Sequence, residues 1–403
     1  MRYRVTAIGA LGVVLAAAGC AQRPTETYGF VATLGTDTTS VERVTRTGDR
    51  IVSDAVGRSP VVVRRRWEAT LAPDGTVRHW TMHTHIPNAA DGATDLYHEA
   101  VFNDSTVRLI RRTGSDTTDA TYAKSFAVTV PWNAFVYGTY EMLFQAAAGL
   151  PDTSPIGQYF FEGWAEGSLG YARVRRLGGD SIAIRSTGLA GEGVARMDAE
   201  GRMQSYSGAG TTYRQEVERI TDVPDIDAIA ARFASDERTR GVSRSLSTRD
   251  TARATIDGVT FTIDYGRPLA RGRTLLGGLI PHGQVWRTGA NAATQLGVSE
   301  RVVVGGIPLD SGTYTLWTLP AADSVLLIIN RQTGQWGTQY GAAHDIARVP
   351  MEIATLTEPV EQFTIRVASA DGADTAQLVM EWGTFRWSVD IRGTGPDRPR
   401  LPD

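Results

Sequence analysis

Residues 285–294, VWRTGANAAT, bring together side chains that could bind a ligand. Trp286 offers a flat indole face, Arg287 a guanidinium group and Asn291 a carboxamide. Guanidinium groups bind carboxylates and phosphates through paired hydrogen bonds, while indole faces stack on sugar rings or apolar ligands. These residue types therefore predict a site for a small polar or carbohydrate-like ligand.

Other cationic and aromatic residues in the carboxy-terminal third of the chain extend this candidate site. The full candidate set is Arg267, Arg273, Trp286, Arg287, Asn291, Trp336 and Tyr340. A structural role is the alternative, because an irregular glycine-rich connection must satisfy its own backbone groups, and Arg287 and Asn291 could bond to them. The two interpretations differ in whether Arg287 faces a pocket or the backbone.

Three histidines in the stretch HWTMHTH point to one face of a predicted strand: His79, His83 and His85. His-x-His is a spacing found in zinc sites. However, pairing Leu71 with Thr76 in the surrounding hairpin sets Arg64 opposite His83, and a guanidinium group disfavours a metal dication. We therefore expect a polar face whose histidines pair with neighbouring charges, and these residues are weak metal candidates only.

No catalytic residue, metal or cofactor is predicted. The carboxy-terminal part contains two histidines, His282 and His344, and neither lies in a nucleophile motif such as Gly-x-Ser-x-Gly. The carboxylates Asp264, Asp345 and Glu381 leave an envelope hydrolase open as an alternative, since two carboxylates at the right separation perform glycosidase chemistry. Strand alternation puts Asp264 and Glu381 on solvated faces, which disfavours that alternative.

The first twenty residues predict an export signal. Arg2 and Arg4 precede an apolar run, residues 7–18, that is too short to span a bilayer stably. The run ends in Ala-Ala-Gly-Cys at Cys20, which resembles the lipobox of bacterial lipoproteins. The resemblance implies a signal peptide at residues 1–19, lipidation of Cys20 and a permanent membrane anchor. Ala21 in the next position implies sorting to the outer membrane, facing the periplasm; a cleaved soluble periplasmic protein is the alternative.

Composition limits the remaining possibilities. Cys20 is the only cysteine, so the chain cannot form an internal disulfide. A net charge of −3 with no basic stripe gives no reason to expect a nucleic-acid partner. The mature chain of about 384 residues is long enough for two ordinary domains. Its 43 glycines, with many threonines and valines, favour short strands joined by tight turns.

After a lipidated tether at residues 20–26, residues 27–235 predict an antiparallel β-rich domain. A hairpin turning at Pro73-Asp74-Gly75 is its clearest unit. Alternation assigns the hairpin's core face to Val61, Val63, Trp67, Trp80, Met82 and Ile86. One helical pattern, residues 133–150, interrupts the strands. We therefore expect a curved sheet or half-barrel with one helix.

A polar linker at residues 236–250 is expected to lead into a second β domain at 251–392, followed by a flexible tail at 393–403. The second domain opens with a hairpin at Asp257-Gly258. Its second strand has an apolar row, Val259, Phe261, Ile263 and Tyr265. The run VLLIIN, residues 325–330, is apolar on both faces and predicts a strand covered on both sides. Short strands without a long helix favour an antiparallel β-sandwich.

Four segments of this second domain resemble a bacterial family known as domain of unknown function 2911. They are IDYGRPLARGRTLLGGLIPHGQVWRTGANAAT, GGIPLDSGTYTLWTLP, NRQTGQWGTQY and EPVEQFTIRV. The resemblance covers residues 245–391 and implies a fold and an envelope location, but no catalytic residues. Two positions depart from the family pattern: Gly266, where serine is more usual, and His282, where an aromatic or polar residue is expected.

Together these observations predict a membrane-anchored envelope lipoprotein that binds a small-molecule or glycan ligand, or serves as an interaction module. An envelope hydrolase and a purely structural lipoprotein are the alternatives. They predict different surroundings for Arg287: a ligand pocket in the first case, and backbone groups in the structural case.

Overall fold

The computed structural model describes residues 24–58, 61–87, 95–160, 169–240, 247–256, 258–369 and 376–393. The signal peptide, the lipidation site Cys20, most of the tether and residues 394–403 lie outside the described residues. None of the described helices is both long and apolar enough to cross a membrane. The chain is mainly β, as the alternating sequence patterns predict.

Fifteen strands form one amino-terminal sheet. They are β1 Thr25–Leu34, β2 Asp37–Thr47, β3 Arg50–Arg58, β4 Val62–Leu71, β5 Val77–His85, β6 Asp95–Phe102, β7 Thr106–Thr113, β8 Asp116–Ala123, β9 Thr129–Trp132, β10 Pro155–Phe160, β11 Leu169–Gly178, β12 Ser181–Ser186, β13 Leu189–Met197, β14 Met203–Ser207 and β15 Glu216–Ile220. Spatial neighbours are sequence neighbours, except that β1 pairs with β15 and so joins the two halves. The pairs are antiparallel, apart from the parallel pair β9–β10.

Helix α1, Tyr137–Ala148, fills the core of this sheet. Its Tyr140, Leu143 and Phe144 pack in one hydrophobic cluster with inward side chains from strands of both halves. Because strands far apart in the sheet share one core with the helix, the sheet must curve around it. The antiparallel sheet that the sequence predicts is confirmed, but a second helix also packs on it.

The predicted hairpin face is correct at its centre, but the predicted register is wrong. Val63, Trp67, Trp80 and Met82 are buried, whereas Val61 and Ile86 at the ends are half-buried. Leu71 pairs with Val77 rather than Thr76, and a bulge follows Thr70, so residue 66 rather than Arg64 lies opposite His83. The reason is the turn, in which the Ala72 amide bonds to the Thr76 carbonyl at 2.8 Å and takes both residues out of the strand ladder.

The buried carboxylate of Glu42 on β2 caps the amino-terminal end of α1. One carboxylate oxygen accepts the amides of Tyr137 and Gly138, at 2.6 and 3.0 Å. The other accepts Ser53 Oγ at 2.7 Å and Trp67 Nε1 at 3.1 Å. Helix α1 has no side-chain cap of its own, so Glu42 satisfies amides that the helix leaves free. Burial raises the pKa of Glu42 despite these four donors.

Helix α2, Ile226–Arg240, packs on the outer face of the same sheet. Its amino-terminal end is capped by Asp225, whose carboxylate accepts the amides of Asp227 and Ala228 at 2.9 and 3.3 Å. The helix overlaps the start of the predicted linker, 236–250, and the next strand begins at Ser247. The residues between these elements, 241–246, lie outside the described part of the chain.

Two further sheets form the predicted carboxy-terminal sandwich. Their strands are β16 Ser247–Ile256, β17 Val259–Pro268, β18 Thr294–Val298, β19 Val302–Val304, β20 Ile307–Leu309, β21 Gly312–Pro320, β22 Val325–Asn330, β23 Asp345–Pro350, β24 Glu352–Ser369 and β25 Ala376–Gly393. One sheet has the order β16-β17-β18-β21-β22-β23, and the other β20-β19-β25-β24. The row from Val259 to Tyr265 is buried between them, as predicted.

The six-stranded sheet is covered on both faces, which decides where the candidate site lies. Leu327 and Ile329 of β22 face the sandwich core, whereas Ile328 packs with Trp317 and Ala293 on the opposite face. This confirms the two-sided burial predicted for VLLIIN. The irregular connection that precedes β18 pairs with β21 at Trp286 and Thr318, and its Val285 and Ala293 pack on the outer face of the sheet.

Candidate functional site

A cleft of about 910 Å³ lies between the amino-terminal sheet and the carboxy-terminal sandwich. Its size falls within the rough range of 300–1,000 Å³ found for small-molecule pockets. Five of the seven predicted candidates line it: Arg273, Trp286, Arg287, Asn291 and Trp336. The amino-terminal sheet contributes residues that the sequence did not indicate, chiefly Thr187, Tyr213 and Arg214. The cleft is therefore built from both parts of the chain.

The turn between β1 and β2 docks against the sandwich at one edge of the cleft. The Thr36 amide donates to the Arg271 carbonyl at 3.1 Å, and Arg271 Nε donates to Asp37 Oδ2 at 2.9 Å. Gly35 has a positive φ, and a Cβ at this position would clash with the Arg271 carbonyl. This close approach brings the turn that follows Leu34 to the wall formed by Arg271 and Arg273.

Backbone contacts within VWRTGANAAT hold Arg287 in place without using its side chain. Trp286 and Thr318 exchange two backbone hydrogen bonds, at 2.7 and 2.9 Å. Thr288 is fully buried with a φ of 53°, unusual for a β-branched residue, and Thr294 Oγ1 donates to its carbonyl at 2.6 Å. The Arg287 guanidinium has no hydrogen bond or salt bridge to any described residue. Thr288 therefore does the structural work that the alternative interpretation gave to Arg287.

Trp336 lies beside Arg287 because two irregular segments pair. The Gly337 amide donates to the Asn291 carbonyl at 2.9 Å, and the Ala293 amide donates to the Gln335 carbonyl at 3.2 Å. Gly337 packs directly on the aliphatic part of Arg287, where a Cβ would clash with Arg287 Cδ. The indole of Trp336 is 50% exposed, so its face is accessible from the cleft.

Positive charge dominates the cleft. Its charged lining residues are all arginines: Arg214, Arg271, Arg273 and Arg287. Burial lowers the pKa of Arg214, Arg273 and Arg287. Repulsion from Arg271 and Arg214 adds to burial and brings the pKa of Arg273 to about 10, and Arg214 acts on Arg287 in the same way. With a pKa of about 10, Arg273 remains a cation at neutral pH.

Two of the four arginines have protein acceptors. Arg271 pairs with Asp37, and Arg273 donates to the carbonyls of Leu269 and Ala270 at 2.7 and 3.0 Å. The guanidinium groups of Arg214 and Arg287 have no such acceptor within the described ranges. They are the two groups most available to a ligand.

Trp286 contributes to the wall of the cleft and not to an open surface. Its indole stacks on Trp382 with ring centroids 5.9 Å apart and an interplanar angle of 12°. Phe363 meets it edge-on at 5.1 Å. Most of the ring is therefore part of the sandwich core, and the role of exposed platform falls to Trp336.

Two predicted candidates, Arg267 and Tyr340, lie outside the cleft. Arg267 Nη1 pairs with Asp250 at 2.8 Å, and the rest of its guanidinium bonds to residues of β24, the Phe363 carbonyl and Thr364 Oγ1. The Tyr340 hydroxyl donates to Asp345 at 2.6 Å. Strand β24 passes beside the end of β17 and supplies the acceptors for Arg267, a long-range contact with no trace in the local sequence.

The three histidines do not form a metal site. His79 bonds to Glu99 at 3.0 Å and His85 to Asp95 at 2.8 Å, while the His83 ring packs against Tyr97 with centroids 4.7 Å apart. Among the residues that the structure describes, no cluster of three or more His, Cys, Asp or Glu could hold a metal ion. His79 and His85 thus pair with neighbouring charges, whereas His83 packs against an aromatic ring.

The carboxylates considered for hydrolysis are engaged separately. Asp264 pairs with Arg249 at 2.8 Å, Asp345 with Arg348 at 3.0 Å, and Glu381 with Arg366 at 3.1 Å. None of these carboxylates lines the cleft, and neither does His282 or His344. The described residues that line the cleft thus include no His, Asp or Glu.

Comparison with the curated proteins found no match. Among solved structures, a DUF1089 family protein from Pseudomonas aeruginosa is similar at 16% identity with a TM-score of 0.32, covering 43% of this chain and 92% of that one. A beta-barrel-like protein of the domain of unknown function DUF1849 from Brucella abortus is similar at 10% identity and a TM-score of 0.32, covering 51% of this chain and 100% of that one. Residues 247–391 match the family model described as "Protein of unknown function (DUF2911)", which confirms the resemblance carried by the four sequence segments.

Proposed function

We propose that this chain is a lipid-anchored protein of the bacterial envelope that binds an anionic small molecule in the cleft between its two parts. The observation that carries the proposal is the pair Arg214 and Arg287, two partly buried guanidinium groups without an acceptor among the described residues. The ligand would bind in contact with both the amino-terminal sheet and the sandwich.

Burial of cations without partners is unfavourable, because the lost hydration is not replaced. A carboxylate, phosphate or sulfate group between the arginines would replace it with charge-assisted hydrogen bonds. Asp37 already neutralises Arg271, so Arg214, Arg273 and Arg287 carry the charge that a ligand would meet. The cleft lining contains no carboxylate that would repel an anion.

The membrane is proposed as a partner through the lipid on Cys20. The support is the lipobox-like end of the predicted signal peptide and the absence of any other cysteine in the chain. Replacing Cys20 by serine should move the protein from the membrane fraction to the soluble fraction of the producing bacterium. Mass spectrometry of the amino-terminal peptide should find acyl groups on the wild type alone. An unmodified, soluble wild type would refute the anchor.

Binding is tested by calorimetric titration of the full-length protein with citrate and pyrophosphate at constant ionic strength. We expect the wild type to bind at least one of them and Arg214→Ala or Arg287→Ala to weaken binding roughly 10- to 100-fold, the loss expected for one charge-assisted contact. Arg392→Ala is the matched control, because Arg392 is exposed on β25 and lies ten residues from the cleft residue Trp382. Equal affinity in all variants would exclude this cleft as the site.

A further inference from the structure

We infer that the anionic group of the ligand is carried by a sugar ring, so that the cleft binds an acidic carbohydrate such as a uronate oligosaccharide. This inference rests on the proposed function, since it concerns the same cleft. It specifies the ligand class from the uncharged part of the site, which a simple anion would not need.

The exposed indole of Trp336 is the first observation. Among the residues that the structure describes, it is the most exposed large hydrophobic side chain. Its segment is fixed on both sides: the Trp336 amide donates to Gln339 Oε1 at 3.1 Å, and the Trp336 carbonyl accepts the Gln339 amide at 2.9 Å. A rigid indole open to solvent is a platform for a flat ligand face, such as the C–H face of a pyranose ring.

The position of this platform beside Arg287 is the second observation. Gly337, the residue after Trp336, packs on the aliphatic part of Arg287 because it has no side chain. Indole and guanidinium are thus held side by side. A ring on the indole would carry its exocyclic carboxylate towards Arg287 and, across the cleft, Arg214.

Uncharged hydrogen-bonding side chains are the third observation. Exposed hydroxyl and carboxamide groups line the cleft around the arginines: Thr187, Thr212, Asn291, Thr338 and Gln339. They can both donate and accept, as sugar hydroxyls do. A pocket with one aromatic platform, several such groups and unpaired cations matches a hydroxylated, acidic ring better than an inorganic anion.

The experiment compares four kinds of ligand on the full-length protein by calorimetry. The probes are trimers of galacturonate, glucuronate and mannuronate, their carboxyl-reduced neutral counterparts, citrate and adenosine monophosphate. We expect at least one uronate trimer to bind tenfold or more tightly than citrate and its neutral counterpart to lose most of that affinity. Adenosine monophosphate tests whether a nucleotide fits the platform better.

Two variants separate the platform from the charge. Trp336→Ala should weaken binding of the uronate trimer about tenfold and leave citrate unchanged, whereas Arg287→Ala should weaken both. Tyr122→Ala is the control, because Tyr122 is another exposed aromatic residue, on β8 and outside the cleft.

The outcomes distinguish this inference from the proposed function. If citrate binds and responds to Arg287→Ala, but no uronate trimer binds more tightly than citrate, the sugar is excluded and anion binding stands. Tighter binding of adenosine monophosphate than of every trimer would also overturn the inference. If no probe binds the wild type, the proposed function fails as well.

Discussion

Arg214 of the β14–β15 connection and Arg287 of the sandwich, 73 positions apart in sequence, line the same cleft, and Arg214 disfavours the charged form of Arg287. Repulsion from Arg214 adds to burial in lowering the pKa of Arg287. No carboxylate in the described ranges bonds to either guanidinium. The free cleft is therefore a region of unrelieved positive charge, which a bound anion would relieve.

Arg287→Ala should destabilise the free protein by no more than about 1 kcal/mol, because it breaks no hydrogen bond among described residues and loses only the packing of the aliphatic stem on Gly337. Thr288→Ala should cost more, roughly 1–2 kcal/mol, since the buried Thr288 hydroxyl bonds to Thr318 Oγ1. Denaturant unfolding measures both. Loss of several kcal/mol in Arg287→Ala would mean that this arginine is structural after all.

Asp37→Asn should weaken the contact between the two parts of the chain. The Arg271 side chain is 9% exposed and would lose its carboxylate partner, at a cost of roughly 1–3 kcal/mol. Scanning calorimetry should then resolve two unfolding transitions further apart than in the wild type. Asp250→Asn removes a similar pair inside the sandwich and should not change the separation of the two transitions.

Glu42→Gln should destabilise the amino-terminal sheet by roughly 1–3 kcal/mol, because an amide group cannot accept the four donors around Glu42. The raised pKa of Glu42 means that its carboxyl group binds a proton more tightly in the folded protein than in the unfolded chain. Its contribution to stability is thus fully present below the unfolded pKa, about 4.3, and is lost as pH rises through the folded pKa.

The free-energy difference between wild type and Glu42→Gln should accordingly be larger at pH 5 than at pH 8. Glu68→Gln is the control: Arg50 lowers the pKa of Glu68, so its contribution is lost only in more acidic solution. The difference in the free energy of unfolding between wild type and Glu68→Gln should be nearly the same at both pH values. Urea unfolding at the two pH values measures these differences, and a constant difference for Glu42→Gln would contradict the prediction.

Gly266→Ala should destabilise the sandwich by roughly 1–3 kcal/mol, the usual cost of overpacking. A Cβ at position 266 would clash with the carbonyl of Ala290, within the segment that carries Arg287. Gly297→Ala on the neighbouring strand is the control, since a Cβ there would have no atom nearer than 3.7 Å. Equal melting temperatures for the two variants would show that the segment containing Ala290 shifts away from a Cβ at position 266 at little cost.

The glycine at position 266 also explains one departure from the family pattern. The family resemblance leads us to expect serine there, yet in this chain the backbone of Ala290 occupies the space that a serine side chain would need. The VWRTGANAAT connection thus runs closer to β17 than a serine would allow. Such a compensation between distant segments becomes visible only in the folded chain.

Local patterns predicted most of the fold. Alternation assigned Trp67, Trp80 and the row from Val259 to Tyr265 to their cores, because the side a strand residue faces depends only on parity. Register was less predictable, since one bulge after Thr70 shifts every pair in the hairpin. The bulge arises from hydrogen bonds in the turn, which composition does not specify.

The site was predictable only on the sandwich side. Arg273, Arg287 and Trp336 occur in segments with a dense family resemblance, and they share the cleft. Arg214 carries no comparable signal: it follows an ordinary glycine-containing turn, and its role depends on how the two parts dock. Arg271 lies in the sequence between Arg267 and Arg273, which were both candidates. Treating every arginine of this segment as a candidate would have included Arg271.

The division of the cleft between two parts of the chain would make the specificity of the proposed site modular. Residues 247–391 alone would keep Arg273, Arg287 and Trp336 but would lack Arg214 and Tyr213, so they would supply only one wall of that site. The same sandwich beside a different amino-terminal partner would present the same cations and indole to a different opposing wall. Proteins that share this sandwich would then bind different ligands without any substitution in the sandwich itself.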